Sequence, residues 1–280
     1  MSHSALIEVN DPDSLDRQEI DEVSRQHGYA IVRGVVLPDA ISRARTLLKD
    51  WFDSSRERPS RGEPPTALQG DFFQKFLLGA THPSGVHRPR CHRTIYMSLD
   101  FADRFGLKEA FVALARIRNC LSNLPRDFGI FEDSDGFWTP ARVHHYPRGG
   151  GFLVEHKDNF TPEVQKSGGV VSYSQPIVVM SRRGTDFSQG GGFVVDRSGS
   201  RVHYEEFCDL GDVVLYTGET IHGVDDIDPH LPFEQGSFDG RLSGLVTLYR
   251  RAASYGEILR QAGVGDVSFD GREESLVSDA

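Results

Sequence analysis

Residues 141–158 read ARVHHYPRGGGFLVEHKD, and residues 211–224 read GDVVLYTGETIHGV. Each joins short apolar or alternating runs to glycine-rich turns, the pattern of half-buried strands with tight connections. The same rhythm runs through GGVVSYS (168–174), QPIVVMS (175–181), GGFVVD (191–196), RVHYEEF (201–207) and RLSGLVTLYR (241–250). Many short strands at regular spacing predict an antiparallel sandwich or barrel over the second half of the chain.

Upstream the pattern is mixed. Residues 13–27 predict a polar amphipathic helix, and GYAIVRGVV (28–36) predicts a strand. A second helix runs from Pro38 to about Phe52, with proline in its first turn. A third covers 106–121, where Leu107, Phe111, Leu114 and Leu121 recur near helical spacing. Residues 53–70 are rich in Pro, Gly, Ser and charge and predict a loop; 265–280 predict a loose acidic tail. The expectation is one α+β domain with a mainly β core. Its helical or lid-like part covers about 1–139 and its β-core about 140–252.

Composition narrows the function. A chain of 280 residues with net charge -10 lacks the basic surface that displaces counterions from nucleic acid. No apolar run reaches the length of a membrane span. Cys91, Cys120 and Cys208 are odd in number and far apart, which predicts reduced thiols and a cytoplasmic protein. The opening residues are polar and acidic, unlike a signal peptide. Oligomeric state is left open.

The chemistry concentrates in His156-Lys157-Asp158. Alternate residues of a strand share a face, so His156 and Asp158 point together. His222 follows Asp158 by 64 positions, at the end of an apolar strand and a turn. Two imidazoles and a carboxylate on one side of an ion form the facial triad of non-haem Fe(II) oxygenases, which leaves coordination positions open. Taken singly, His156 and Asp158 also fit a surface ion pair, and His222 a histidine beside a turn. Two neighbours favour the metal. Arg241 and Ser243 share strand parity and offer a planar fork plus a hydroxyl for a carboxylate. Arg142, His144 and Tyr146 share a face just upstream.

The order strand Tyr, H-x-D, distal His, R-x-S resembles the Fe(II)/2-oxoglutarate-dependent dioxygenase superfamily, in its plant-type, isopenicillin-N-synthase-like branch. GYAIVRGVVLPDAISRAR resembles the opening of phytanoyl-CoA-type members. The resemblance covers roughly residues 28–250 and is dense from 140. It implies a double-stranded β-helix, or jelly-roll, with Fe(II) on His156, Asp158 and His222. It further implies 2-oxoglutarate as cosubstrate with O₂, its distal carboxylate on Arg241 and Ser243. Tyr146 would add a hydrogen bond, with His144 where that branch often has Asn. The implied reaction is hydroxylation, desaturation or cyclisation of a small molecule in biosynthetic metabolism. An oxidase of this fold that uses no 2-oxoglutarate, and a non-catalytic binding protein, are the competing readings.

Arg241 departs from the branch by lying 19 positions after His222. Arg250 or Arg182 are the alternatives for the carboxylate. For the substrate, the basic run 87–93 suggests a clamp of Arg88, Arg90 and Arg93 on a carboxylate, with Arg182 a further candidate. Phe72, Phe73 and Trp138 would wall an apolar pocket, although core packing is the ordinary role of such residues.

Overall fold

The computed structural model describes residues 4–10, 14–54, 71–81, 87–132, 134, 136–158, 174–234 and 236–250; for 54, 73, 75–81, 87–91, 249 and 250 it describes only the backbone. The N-terminal elements are β1 (Leu6–Glu8), α1 (Arg17–His27), β2 (Ala30–Arg33), α2 (Pro38–Ser54), β3 (Phe72–Thr81), β4 (His87–Met97), α3 (Leu99–Ala102), α4 (Lys108–Leu121) and β5 (Phe137–Trp138). Then come β6 (Ala141–Pro147), β7 (Gly151–His156), β8 (Ser174–Val179), β9 (Gly191–Val195) and β10 (Arg201–His203). The chain closes with β11 (Val213–Thr217), β12 (His222–Ile227), β13 (Gly240–Val246) and β14 (Tyr249–Arg250).

Two sheets face each other. The large one has the order β1-β2-β11-β8-β13-β6-β4-β3, and the small one β10-β9-β12-β7. Apart from the parallel β1–β2 pair, the strand pairs are antiparallel. Strand parity then splits the large sheet into two faces. Ala30, Val32, Val143, Val178, Val213, Leu215 and Val246 pack outward on the helices, joining Ile41, Ala44, Leu48, Phe111 and Leu114. Ile31, Ile177, Val179, Val214, Tyr216 and Leu245 face inward toward Val194 of the small sheet.

The helices follow local rules. Asp16 caps α1 by accepting from the Gln18 N–H, and Gly28 ends it at φ 87°. Ile41, Ala44 and Leu48 fall one helical turn apart along α2 and are fully buried.

Three expectations need correction. The N-terminal part holds more than helices and the strand expected at 28–36: β3 and β4 also belong to the large sheet, with β4 hydrogen-bonded to β6. Its basic run 87–93, for which no strand was predicted, lies in β4. The RVHYEEF segment is a strand only to His203; Tyr204–Glu206 form a 3-10 turn. The 168–173 part of GGVVSYS, most of the 53–70 loop and the 265–280 tail lie outside the described residues.

Candidate metal centre and the cavity behind it

His156 ends β7 and His222 begins β12, and the two are register partners in the small sheet. Their ring centroids stand 4.3 Å apart. Asp158, two residues beyond His156, presents one carboxylate oxygen 3.5 Å from His156 Nε2 and the other 3.6 Å from His222 Nε2. One ligand atom from each residue falls within 4.8 Å of the others. Among the described residues this is the one such grouping of three.

The donor chemistry fits a divalent ion. His156 Nδ1 lies 2.8 Å from the Val154 carbonyl, and His222 Nδ1 lies 2.9 Å from the Thr220 carbonyl. A carbonyl only accepts, so each Nδ1 carries the proton and each Nε2 lone pair is free for a metal. Burial lowers the pKa of His222, outweighing the opposing pull of Asp158, and keeps the imidazole neutral. For Asp158, burial raises the pKa. The neighbouring His156, His222 and Arg142 outweigh it and hold the carboxyl below its ordinary range. The His222 imidazole and the Asp158 carboxylate are thus in coordinating form, with the His156 ring anchored beside them through Nδ1.

A cavity of about 100 Å³ opens from these residues into the space between the sheets. Arg142, Gln175, Tyr216 and Thr247 lie on its wall, together with His144, Tyr146, Ser243, Arg241 and Tyr204. Tyr216 packs against His222, centroids 4.6 Å apart. Arg142 donates to Thr247 Oγ1 at 2.9 Å. The amide oxygen of Gln175 is buried and has no hydrogen-bond partner among the described residues.

Arg241 and Ser243 stand where strand parity puts them, opposite Tyr146 and His144 in the register of β13 and β6. Arg241 Nη1 donates to Ser243 Oγ at 3.2 Å, and its guanidinium lies 5.2 Å from the Tyr146 ring centre. Tyr146 in turn stacks on His92 at 4.5 Å, and His144 meets His92 edge-on at 4.7 Å.

The sequence reading missed Tyr204, which lines the cavity, and Glu205, which pairs with Arg241. Glu205 accepts from Arg241 Nε at 2.7 Å through one oxygen and from the Gly192 N–H at 2.8 Å through the other. Tyr204 Oη accepts from Arg241 Nη2 at 2.9 Å. The Arg241 and Glu205 side chains are 2% and 1% exposed, so this ion pair is buried. YEEF was assigned to a strand, and nothing local in it signals either role.

Of the suggested substrate residues, Arg93 and Arg182 do not line the cavity. Arg93 has the parity of Ile95 and faces the helices, donating to His145 Nδ1 at 2.8 Å with its guanidinium over the Phe52 ring. Arg182 is half-exposed, pairs with Asp209 at 3.3 Å and does not line the cavity. The side chains of Arg88, Arg90, Phe73 and Arg250 lie outside the described residues. Phe72 packs on Trp51 and Phe101, and Trp138 lies away from the cavity in β5.

No protein-family model matches the chain, and no curated protein matches it. Solved structures do. A prolyl-4-hydroxylase from Pseudomonas putida aligns at 14% identity and TM-score 0.50, over 85% of this chain and 100% of that one. A Trichoplax adhaerens prolyl hydroxylase, bound to a hypoxia inducible factor oxygen degradation domain peptide, aligns at 10% and 0.51, over 89% and 92%. EctD from S. alaskensis, with 2-oxoglutarate and 5-hydroxyectoine, aligns at 14% and 0.50, over 86% and 77%. The chain has the double-stranded β-helix fold. At these identities the likeness is one of architecture. In this double-stranded β-helix the His156–Asp158–His222 cluster sits at the end of the small sheet, with the cavity running inward beside it.

Proposed function

We propose that the chain is a non-haem Fe(II) and 2-oxoglutarate-dependent oxygenase acting on a small organic molecule. The observation that carries this is a preformed two-histidine, one-carboxylate cluster at the edge of a cavity that also holds a buried arginine. A ferrous ion held there supplies O₂ activation coupled to decarboxylation of 2-oxoglutarate to succinate and CO₂. His156 and His222 provide Nε2 lone pairs, and Asp158 provides negative charge. Arg241, with Ser243, receives the distal carboxylate of 2-oxoglutarate. Tyr146 and His144 wall that end of the cavity.

Substrate contacts shift from the basic run to Arg142, Gln175 and Thr247, which line the cavity with the metal ligands. A guanidinium and an unpaired amide oxygen lining one cavity suit a substrate that carries a carboxylate and an N–H or O–H donor. The free thiols Cys120 and Cys208 suit a reducing compartment such as the cytoplasm.

The Arg241–Glu205 ion pair favours a second reading, an iron oxidase of the same fold that uses no 2-oxoglutarate, because a resident carboxylate already holds the arginine. Counting succinate against O₂ consumed, with Fe(II), 2-oxoglutarate and a panel of small carboxylates, separates the two. One succinate per O₂ is expected. Substrate-dependent O₂ uptake without succinate selects the second reading, and no O₂ uptake with any panel member contradicts both.

A further inference from the structure

Opposite the metal ligands the cavity has a polar wall, lined up by the register of the large sheet. Residues paired across strands share a face. Arg142 of β6 pairs with Leu245 of β13, and Leu245 pairs with Ile177 of β8. Continuing that register by two residues sets Thr247 beside Gln175, and Gln175 pairs with Tyr216 of β11. Neighbouring strands lie about 4.8 Å apart. Arg142, Thr247, Gln175 and Tyr216 thus form one row on the inner face of the large sheet, and all four line the cavity. At one end of the row Tyr216 packs on His222, centroids 4.6 Å apart. At the other, the charge of Arg142 reaches Asp158 and helps to keep its carboxylate ionised.

The head groups along the row differ in kind. Arg142 donates to Thr247 Oγ1 at 2.9 Å and lies 5.2 Å from the Tyr96 ring centre, which fixes its guanidinium at the wall. Gln175 is 8% exposed, and its amide oxygen is buried without a hydrogen-bond partner among the described residues. Tyr216 is 6% exposed, and its hydroxyl makes no hydrogen bond among the described residues. Burial raises the Tyr216 pKa, so the phenol keeps its proton and can donate it. An acceptor and a donor left unsatisfied side by side in a buried wall are costly, and they mark a place for a ligand that carries the complementary pair. An amide carries that pair. Its N–H and C=O point in opposite directions, so two residues on adjacent strands can serve it where one cannot.

We propose that the substrate is an N-acylated amino acid, with its carboxylate on Arg142, its amide N–H donating to Gln175 and its acyl oxygen accepting from the Tyr216 hydroxyl. Along such a molecule the carboxylate, the N–H and the carbonyl follow one another in the order in which the row presents their partners. The inference rests on the 2-oxoglutarate reading above and narrows its substrate to one chemical class, and the experiment separates the two.

Protein loaded with Fe(II) and 2-oxoglutarate under argon is titrated by calorimetry with the N-acetyl derivatives of the common amino acids. The same protein is titrated with the 2-acetoxy acids of the same side chains, in which an ester oxygen replaces the N–H. At least one N-acetyl amino acid is expected to bind, about tenfold or more tightly than its 2-acetoxy counterpart. Gln175→Leu removes the acceptor at similar volume and is expected to bring the two within about twofold of each other. Tyr216→Phe is expected to weaken both, since both keep the acyl oxygen, and to leave 2-oxoglutarate within about twofold. The wild-type comparison needs no variant: no binding by any N-acetyl amino acid, or equal affinity for the two series, overturns the proposal. A preference that survives Gln175→Leu in folded protein overturns it as well. Titration of the Fe(II) protein with 2-oxoglutarate alone is the control for the underlying reading. If 2-oxoglutarate binds and the N-acetyl series does not, only the proposal falls. If 2-oxoglutarate does not bind, the cosubstrate reading falls and the proposal falls with it.

Discussion

Replacing Glu205 with alanine leaves Arg241 charged inside the protein with no counterion. The side chains are 2% and 1% exposed and the Nε–Oε1 distance is 2.7 Å. At an effective dielectric near 20, the Coulomb attraction at that separation is about 6 kcal/mol. Removing one partner of such a buried pair typically costs about 3–5 kcal/mol. The orphaned Gly192 N–H adds to this. In a domain of this size each kcal/mol moves Tm by about 2–4 °C, so Glu205→Ala is expected to melt roughly 6–20 °C below wild type. Urea unfolding at neutral pH gives the free energy directly. The double variant Glu205→Leu with Arg241→Met removes both charges and should recover much of the loss, because apolar replacements of buried pairs are often neutral or better. It should not recover 2-oxoglutarate binding. A Glu205→Ala loss under about 1 kcal/mol, or a double variant no more stable than the single, would refute the claim that the pair is buried and coupled.

Gly192→Ala places a methyl group into Tyr204 Oη and Arg241 Nη2; overpacking should cost about 1–3 kcal/mol and weaken 2-oxoglutarate binding, read by melting and calorimetry. Arg241→Met should raise the 2-oxoglutarate KM at least about tenfold, since a buried charged hydrogen-bond donor is lost; an unchanged KM moves that role to another arginine. Burial, reinforced by the charge of Arg93, pushes His145 down to about 3 despite its hydrogen bond to Asp239. The unfolded chain takes up that proton near pH 6.5 and the folded one does not, so the His145 contribution is complete above about pH 6.5 and is lost as pH falls toward 3. Between pH 6.5 and 5 this is about 2 kcal/mol. His145→Gln should flatten that part of the acid slope in urea unfolding, and an identical slope in both proteins contradicts it.

The β-core was legible because period-two alternation and glycine turns recur from residue 141 onward, and the same parity put His156 beside Asp158 and Arg241 beside Ser243. The pairing of His222 with His156 across β12 and β7 is long-range, and only motif order hinted at it. Strand β4 was hidden because HRPRCHRTIYM carries five basic or histidine side chains and a proline in its first seven residues, a composition that reads as a solvated loop. The sheet tolerates this because 87–91 pair only with the edge strand β3, while 93–97 pair with β6 as well. Arg93 illustrates the limit: its charge suggested a ligand clamp, but its parity turns it to the helices, where it meets His145 and Phe52. Glu205 was invisible for another reason. No local pattern tells that a 3-10 turn after β10 will deliver a carboxylate to an arginine 36 residues later.

The central claim is that His156, Asp158 and His222 hold one ferrous ion, and equilibrium dialysis against Fe(II) under argon tests it. Wild type should retain one iron per chain, and His156→Ala, Asp158→Ala and His222→Ala should each lose most of it while keeping a cooperative melting transition. Full iron retention by the folded His222→Ala protein would contradict the account.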